Sequence, residues 1–384
     1  MKQRRIGVYV MIEGLGFAFL RENEFLPELE FRVGLRTVLG DSHACGPTLL
    51  SGRLPHEHGH AAMFHRANGS TPLAAARRYA WLPPIVREHH RIRDRIHDAV
   101  AERIDGRFSL ADCPTHLLAE FDLTEHHSIF QPGAMRHGPN IFDRFEELAL
   151  RHRRYGGEVP EEENVLRAED DLRRGDVELL FLRLPALGGL LREHGSVADP
   201  VLAHLSWYEE RVRHLRELAE DAAEEVELFV CSAHGTSDVH GAVDLIAEVE
   251  RDFGRNGRRY LAFYDPTMVR FWCEDRGLLD ELRGALSDRH DGRFIHDEEK
   301  AELGIAFTDR SQGDLHFVVN EGLLILPSYR GQTLFAGMHG YHPDAVGADG
   351  CLLGNFSPSL DPTHIQHVHD LMDATAGRLV AERV

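Results

Sequence analysis

The chain has 384 residues, and 63 acidic side chains against 43 basic ones leave a formal net charge of −20. A surface this acidic repels phosphate backbones and anionic bilayers, which sets nucleic acid and membrane aside as partners. Lys2 and Lys300 are the only lysines, and neither suits a Schiff-base enzyme, a P-loop NTPase or a protein kinase, all of which need a placed lysine.

The first element in chain order is an apolar run, Ile6 to Ile12, that stops at Glu13-Gly14. Such short runs ended by glycine read as buried parallel strands. Residues 70–138 hold no clear strand and many histidines and arginines; they read as a helical insertion or cap. PNIFDRFEELALRHR, from Pro139, has apolar residues at helical spacing behind an initiating proline and predicts a helix. Strand-like runs recur at 177–184 and 226–232, separated by a predicted helix from Val201 to Glu225, and again at 259–273 and 315–326. Residues 250–335 read as a second, smaller insertion. Strands alternating with helices imply an α/β fold: a central mixed, largely parallel sheet with helices on both faces and its site at the carboxyl ends of the strands.

The five cysteines are odd in number, far apart and free of any CxxC pair. They read as reduced thiols of a cytoplasmic protein. The apolar run at the N-terminus is too short for a signal peptide, and no stretch reaches the ~18 residues of a membrane span.

Three strand-end segments carry chemistry. Glu13-Gly14-Leu15 closes the first strand. Gly40-Asp41-Ser42-His43 leads into Ser51-Gly52-Arg53-Leu54-Pro55 and His58-Gly59. Cys231-Ser232-Ala233-His234-Gly235 is matched later by Gly337-Met338-His339-Gly340. Together they resemble the alkaline phosphatase superfamily, in particular its type I phosphodiesterase/nucleotide pyrophosphatase branch and the related sulfatases. The block from Ser51 to Gly59 is similar to that family's "TGRxPxxHG" element, which follows the nucleophile by about nine residues and so points to Ser42. The resemblance spans residues 6–355 and implies the fold given above, as one domain over 1–384.

It also implies two divalent ions held by carboxylates and histidines. Here the strand-one aspartate is Glu13, the next aspartate and histidine fall on Gly188 and Arg192, and the aspartate before His234 is Ala233. Glu13, His234 and His339 survive, enough for at most one residual zinc or manganese ion. The expected protein is therefore a diverged member acting through Ser42 on a small anionic substrate, a phosphate or sulfate ester. Ser42 would be activated by a histidine base that Glu13 orients, and His234 and His339, counted with them as catalytic, would help to hold the anion. Arg192 and His43 would bind the anion, and backbone N–H groups at a helix start would stabilise negative charge. The pocket, having lost carboxylates and gained an arginine, is expected to be net basic.

Two alternatives stand beside this reading: a pseudo-phosphoesterase kept for binding or scaffolding, and a metal-free esterase or acyl transferase. The second draws on Gly40-Asp41-Ser42 and Asp361-Pro362-Thr363-His364, which look like a GDSL-type Ser-His-Asp set. His56, His58, His60 and His65 are read as a surface cluster, while Asp238 and His240 are candidate replacement ligands. Oligomeric state carries no signal.

Overall fold

The computed structural model describes residues 2–106, 108–110, 112–157 and 159–383. Its central sheet has six strands: β1 (Gln3–Ile12), β2 (Phe31–Leu35), β3 (His152–Tyr155), β4 (Leu179–Leu184), β5 (Ala223–Ser232) and β6 (Gly350–Gly354). The spatial order is β2-β6-β5-β1-β4-β3. β1, β3, β4 and β5 are mutually parallel, and β6 runs antiparallel to both β5 and β2. The sheet is mixed and largely parallel.

Among the helices that flank it are α1 (Ser42–Ser51), α2 (Glu161–Arg174), α3 (Ala186–His194), α4 (Asp199–Ala222) and α5 (His367–Ala381). The alternation of β1 explains the two layers, because successive side chains leave a strand on opposite faces. Ile6, Val8, Val10 and Ile12 pack with Val165, Leu187, Leu205 and Tyr208 of α2, α3 and α4. Tyr9 and Met11 face the other way, onto Leu49 and Leu50 of α1 and Leu371 and Met372 of α5. Both faces are covered, which is why the strands read as nearly continuous apolar runs.

A smaller antiparallel sheet is built from Leu261–Tyr264, Met268–Trp272, Leu315–Val319 and Gly292–Phe294. Residues between 70 and 138 pack on it: Leu73, Ile96, Leu117 and Phe121 share one apolar cluster with Phe263, Phe271 and Trp272. That stretch holds short helices, the longest being His90–Ala101, and a three-residue strand, Phe121–Leu123, which pairs with Phe64–Arg66. Among the described residues no helix is long and apolar enough to cross a membrane.

Two helices end earlier than their sequence suggests. Asn140 caps the one read from Pro139, accepting from the N–H groups of Phe142 and Asp143, and that helix stops at Glu147. Pro139 lies outside, and His152–Tyr155 leaves the helical pattern to form the edge strand β3. Ala149, at φ 49°, makes the break, and pairing with β4 overrides the weak local preference. The helix expected as far as Glu225 closes at Ala222, where pairing of Ala223 and Glu225 with β1 draws the chain into β5.

Candidate active site

Register brings the site together. Met11 of β1 pairs with Arg183 of β4 and with Cys231 of β5, so Glu13, Pro185 and His234 emerge along one edge of the sheet. Ser42 reaches the same edge as the first residue of α1. Glu13, Ser42, His43, Arg192, His234 and His339 all line one cleft of about 400 Å³. A smaller chamber of about 20 Å³ shares Glu13, Ser42, His43 and His234 with the cleft and is lined by Glu125 as well.

Glu13 meets a cation of the chain itself. Arg183 Nε donates to Glu13 Oε1 at 2.7 Å, a second guanidinium nitrogen touches the same oxygen, and the arginine side chain is only 1% exposed. Its guanidinium also lies 5.0 Å above the Phe130 ring. Arg183 shares the face of β4 with Leu179 and Phe181, and a buried guanidinium there requires a counter-charge. The signal is present in the sequence as an arginine inside the apolar run VELLFLRL, but a run alone does not say what the charge meets.

The start of α1 is built around Asp41. Its Oδ1 accepts from the His43 backbone N–H at 2.9 Å and lies 3.0 Å from His43 Nδ1. The Ala44 and Cys45 N–H groups donate to the Asp41 carbonyl. The expected set of free N–H groups at this helix start is therefore mostly consumed by its own cap. The Ser42 hydroxyl makes no side-chain hydrogen bond among the described residues.

Burial works against a charge on His43, but the carboxylates of Asp41 and Glu125 outweigh it and raise the imidazole pKa above its ordinary value. Asp41 shows the reverse balance. Burial would raise it, yet His43 and Arg330 hold it well below the usual carboxylate range.

His234 and His339 stack face to face, ring centroids 4.1 Å apart and planes 14° from parallel. His234 Nδ1 lies 2.9 Å from the Gly235 carbonyl oxygen. A carbonyl only accepts, so Nδ1 is the donor of this bond, and in the neutral ring Nε2 is the nitrogen left to accept. Gly235 is required beside it, because a Cβ there would collide with the Gly347 carbonyl oxygen. His339 is held neutral: burial first, then the adjacent His234 and Arg192, push its pKa well below the usual value.

Arg192, in the last turn of α3, lies 4.8 Å over Phe335 and faces the cleft. Arg330, Asp41 and Asp265 line it too. With Glu13, Asp41 and Asp265 beside the two guanidiniums, the cleft is of mixed charge, not the net basic pocket expected. Arg330, Asp265 and Glu125 come from segments that no motif marks.

Three minor expectations fail. His56 is exposed as expected, but His58, His60 and His65 are buried, at 0%, 0% and 3% exposure, so the four are not a surface cluster. His58 bonds Thr48 of α1 through Nε2 at 3.0 Å and accepts the His60 N–H through Nδ1. The ring thus ties the loop after α1 to that helix, and burial drives its pKa down to about 3. Asp238 is engaged by Ser196 N–H and Oγ at 2.8 and 2.6 Å, His240 is exposed, and neither lines the cleft. Asp361 and His364 do not line it either, which leaves the Ser-His-Asp alternative without its partners.

The family model for type I phosphodiesterase/nucleotide pyrophosphatase matches residues 41–342. The chain belongs to that family. Among solved structures, murine ectonucleotide pyrophosphatase/phosphodiesterase 5 matches with TM-score 0.67 over 98% of this chain and 95% of that one, at 14% identity. The human protein of the same name matches over the same shares at 13% identity and TM-score 0.67. An inactive variant of the murine protein in complex with AMP also matches, at TM-score 0.67 and 13% identity. Identities this low speak to the fold alone. No curated protein matches in sequence.

Proposed function

We propose that this phosphodiesterase-family chain cleaves a phosphodiester or pyrophosphate bond of a small anionic substrate through Ser42. Guanidinium and imidazole groups take the charge that divalent ions carry in relatives. The observation that supports this most is the Glu13–Arg183 pair, in which a buried cation belonging to the chain already neutralises the strand-one carboxylate.

The residues present do not fit two divalent ions. Gly188, Arg192 and Ala233 stand where donors are expected, and no group of three or more His, Cys, Asp or Glu side chains is arranged to hold an ion among the described residues. The chemistry is therefore assigned to the chain's own groups. Arg192 and Arg330, on the cleft wall, bind the phosphoryl oxygens. His234 Nε2 takes the Ser42 proton as Oγ attacks phosphorus, then returns it to the leaving oxygen. The neutral His339 stacked on it adds no opposing charge. The AMP complex of the murine relative supports a nucleotide as the substrate class, and five buried, unpaired cysteines support a reducing, cytoplasmic setting.

The test is hydrolysis of bis(p-nitrophenyl) phosphate by wild type and Ser42→Ala. Turnover should fall by about 10³-fold or more in the variant, the scale seen when a nucleophile is removed. Equal rates would overturn the assignment, and no hydrolysis of any ester by the wild type, with tight nucleotide binding, would make the protein a binder.

A further inference from the structure

The segment packed over the small sheet carries an outer face that neither the core nor the mechanism uses. Three pieces of it touch: the turn Pro72–Arg78, the short helix Pro84–Arg87 and the helix His90–Ala101. Between the turn and the helices, residues Trp81 to Val86 form an apolar tip, Trp-Leu-Pro-Pro-Ile-Val. Trp81 is 79% exposed, Ile85 87% and Val86 43%, and both prolines face solvent. Bulky apolar side chains gathered at one exposed point mark a docking surface, whereas single scattered ones do not. The tip is also held in shape. Trp81 Nε1 donates to the Arg78 carbonyl at 2.9 Å, and the Val86 N–H donates to the Pro83 carbonyl at 2.9 Å. The Arg87 guanidinium reaches back to the Ala80 carbonyl at 3.3 Å, and the prolines fix their own φ. The indole is thus presented outward by bonds within the loop, which lowers the ordering cost of docking.

The tip stands among cations. Residues 77–95 hold six arginines against Glu88 and Asp94. Glu88 is taken up by Arg87, Arg93 and Thr115, while Asp94 and the neighbouring Asp98 are exposed. Arg77, Arg78, Arg91 and Arg95 are exposed too, and none of these four forms an ion pair among the described residues. The net charge of −20 argues against a bilayer for the chain as a whole. Exposed charges are screened beyond about 8 Å at physiological salt, however, so a surface feels the face it touches.

We propose that this face docks the protein on an anionic lipid surface. Trp81, Ile85 and Val86 enter the boundary between headgroups and acyl chains, where an indole with one bonded polar edge is at home. Arg77, Arg78, Arg91 and Arg95 meet the lipid phosphates around it. Both halves of the face are used by that occupant. A nucleic acid would engage the arginines and leave the aliphatic tip idle, and a second copy seated on the same face would set arginine against arginine. The helix that carries Arg91 and Arg95 also reaches the active site, because His97 stacks on Phe108 at 4.8 Å and Phe108 lines the cleft. The proposal stands apart from the role given to Ser42 and goes beyond it.

Co-sedimentation of the full chain with vesicles tests it, using equimolar phosphatidylcholine and phosphatidylglycerol against phosphatidylcholine alone. Wild type should sediment with the anionic vesicles and be released by high salt. Arg77→Gln/Arg78→Gln should weaken that binding by about tenfold or more, the weight of two arginines near an anionic surface. Trp81→Ala/Ile85→Ala should weaken it by about tenfold or more through lost apolar burial. Brominated acyl chains should quench the protein's tryptophan emission, and the conservative Trp81→Phe should remove most of that quenching while the protein still sediments. No sedimentation of wild type at low salt, binding that neither double variant weakens, or quenching unchanged in Trp81→Phe would overturn the proposal. Self-association of wild type without lipid, lost in Trp81→Ala/Ile85→Ala, would also overturn it and give the face to a second copy.

Discussion

Arg183 is 1% exposed in its side chain, and its partner Glu13 is 17% exposed. Removing one member of such a pair strands the other, at about 3–5 kcal/mol. Arg183→Met should lower stability by that amount in urea denaturation, and adding Glu13→Gln should recover a large part. A loss below about 1 kcal/mol, the range of surface pairs, would show that the pair is not a structural charge balance. His43 gives a pH signature. Its pKa is raised in the fold, with Asp41 and Glu125 overcoming burial. A raised folded pKa means that the stabilisation is fully present below the unfolded value of about 6.5 and is lost as pH rises through the folded value. The urea midpoint of wild type should therefore decline above a pH of about 6.5, and His43→Gln should flatten that decline. A decline of equal slope in the variant would assign it elsewhere.

At the scale of elements, α1 shows what a motif encodes. Gly52 ends the helix in the left-handed region at φ 67°, where the His369 ring sits 2.9 Å from any added Cβ, and His58 ties the following turn back to Thr48. The spacing from Ser51 to Gly59 can thus point to Ser42, because the motif is the mould of one helix and its exit. Asp41, at the other end, supplies the cap. Asp41→Ala should cost about 1–2 kcal/mol in denaturant midpoint, and Asp41→Asn, which keeps an acceptor, less than half of that. Equal losses would mean that the charge facing His43, and not the cap, is what matters. The strands are legible for the same local reason, as apolar runs ended by glycine. Where neighbours decide, sequence says less: β3 falls inside a predicted helix because only its pairing with β4 makes it a strand.

The whole molecule sets the remaining groups. Arg330, Asp265 and Glu125 reach the site from segments distant in sequence, so no local pattern announces them, and Arg183 shows only as a charge inside an apolar run whose partner the run does not name. The mixed charge of the cleft cannot be read from motif positions alone, and a net charge of −20 with 26 histidines says little about the two arginines that line the cleft. Glu125 depends on the contact between residues 70–138 and the small sheet, where Phe121 meets Phe263 edge-on at 5.1 Å and Trp272 at 5.8 Å. Phe121→Ala should cost about 3–5 kcal/mol. It should also loosen the clamp at Thr124, whose bonds reach Ala62 and Met63. Amide exchange across 62–66 and 121–126 should rise together in this variant; protection unchanged there would uncouple the cluster from the site.

The most direct measurement is phosphodiester hydrolysis by purified protein before and after exhaustive chelation, with bound metal counted by elemental mass spectrometry in the same samples. The expected result is turnover that persists with well under one ion per chain and does not rise when zinc or manganese is added back. Turnover lost on chelation and restored in step with two bound ions per chain would contradict it, because Glu13 would then serve a metal and not Arg183.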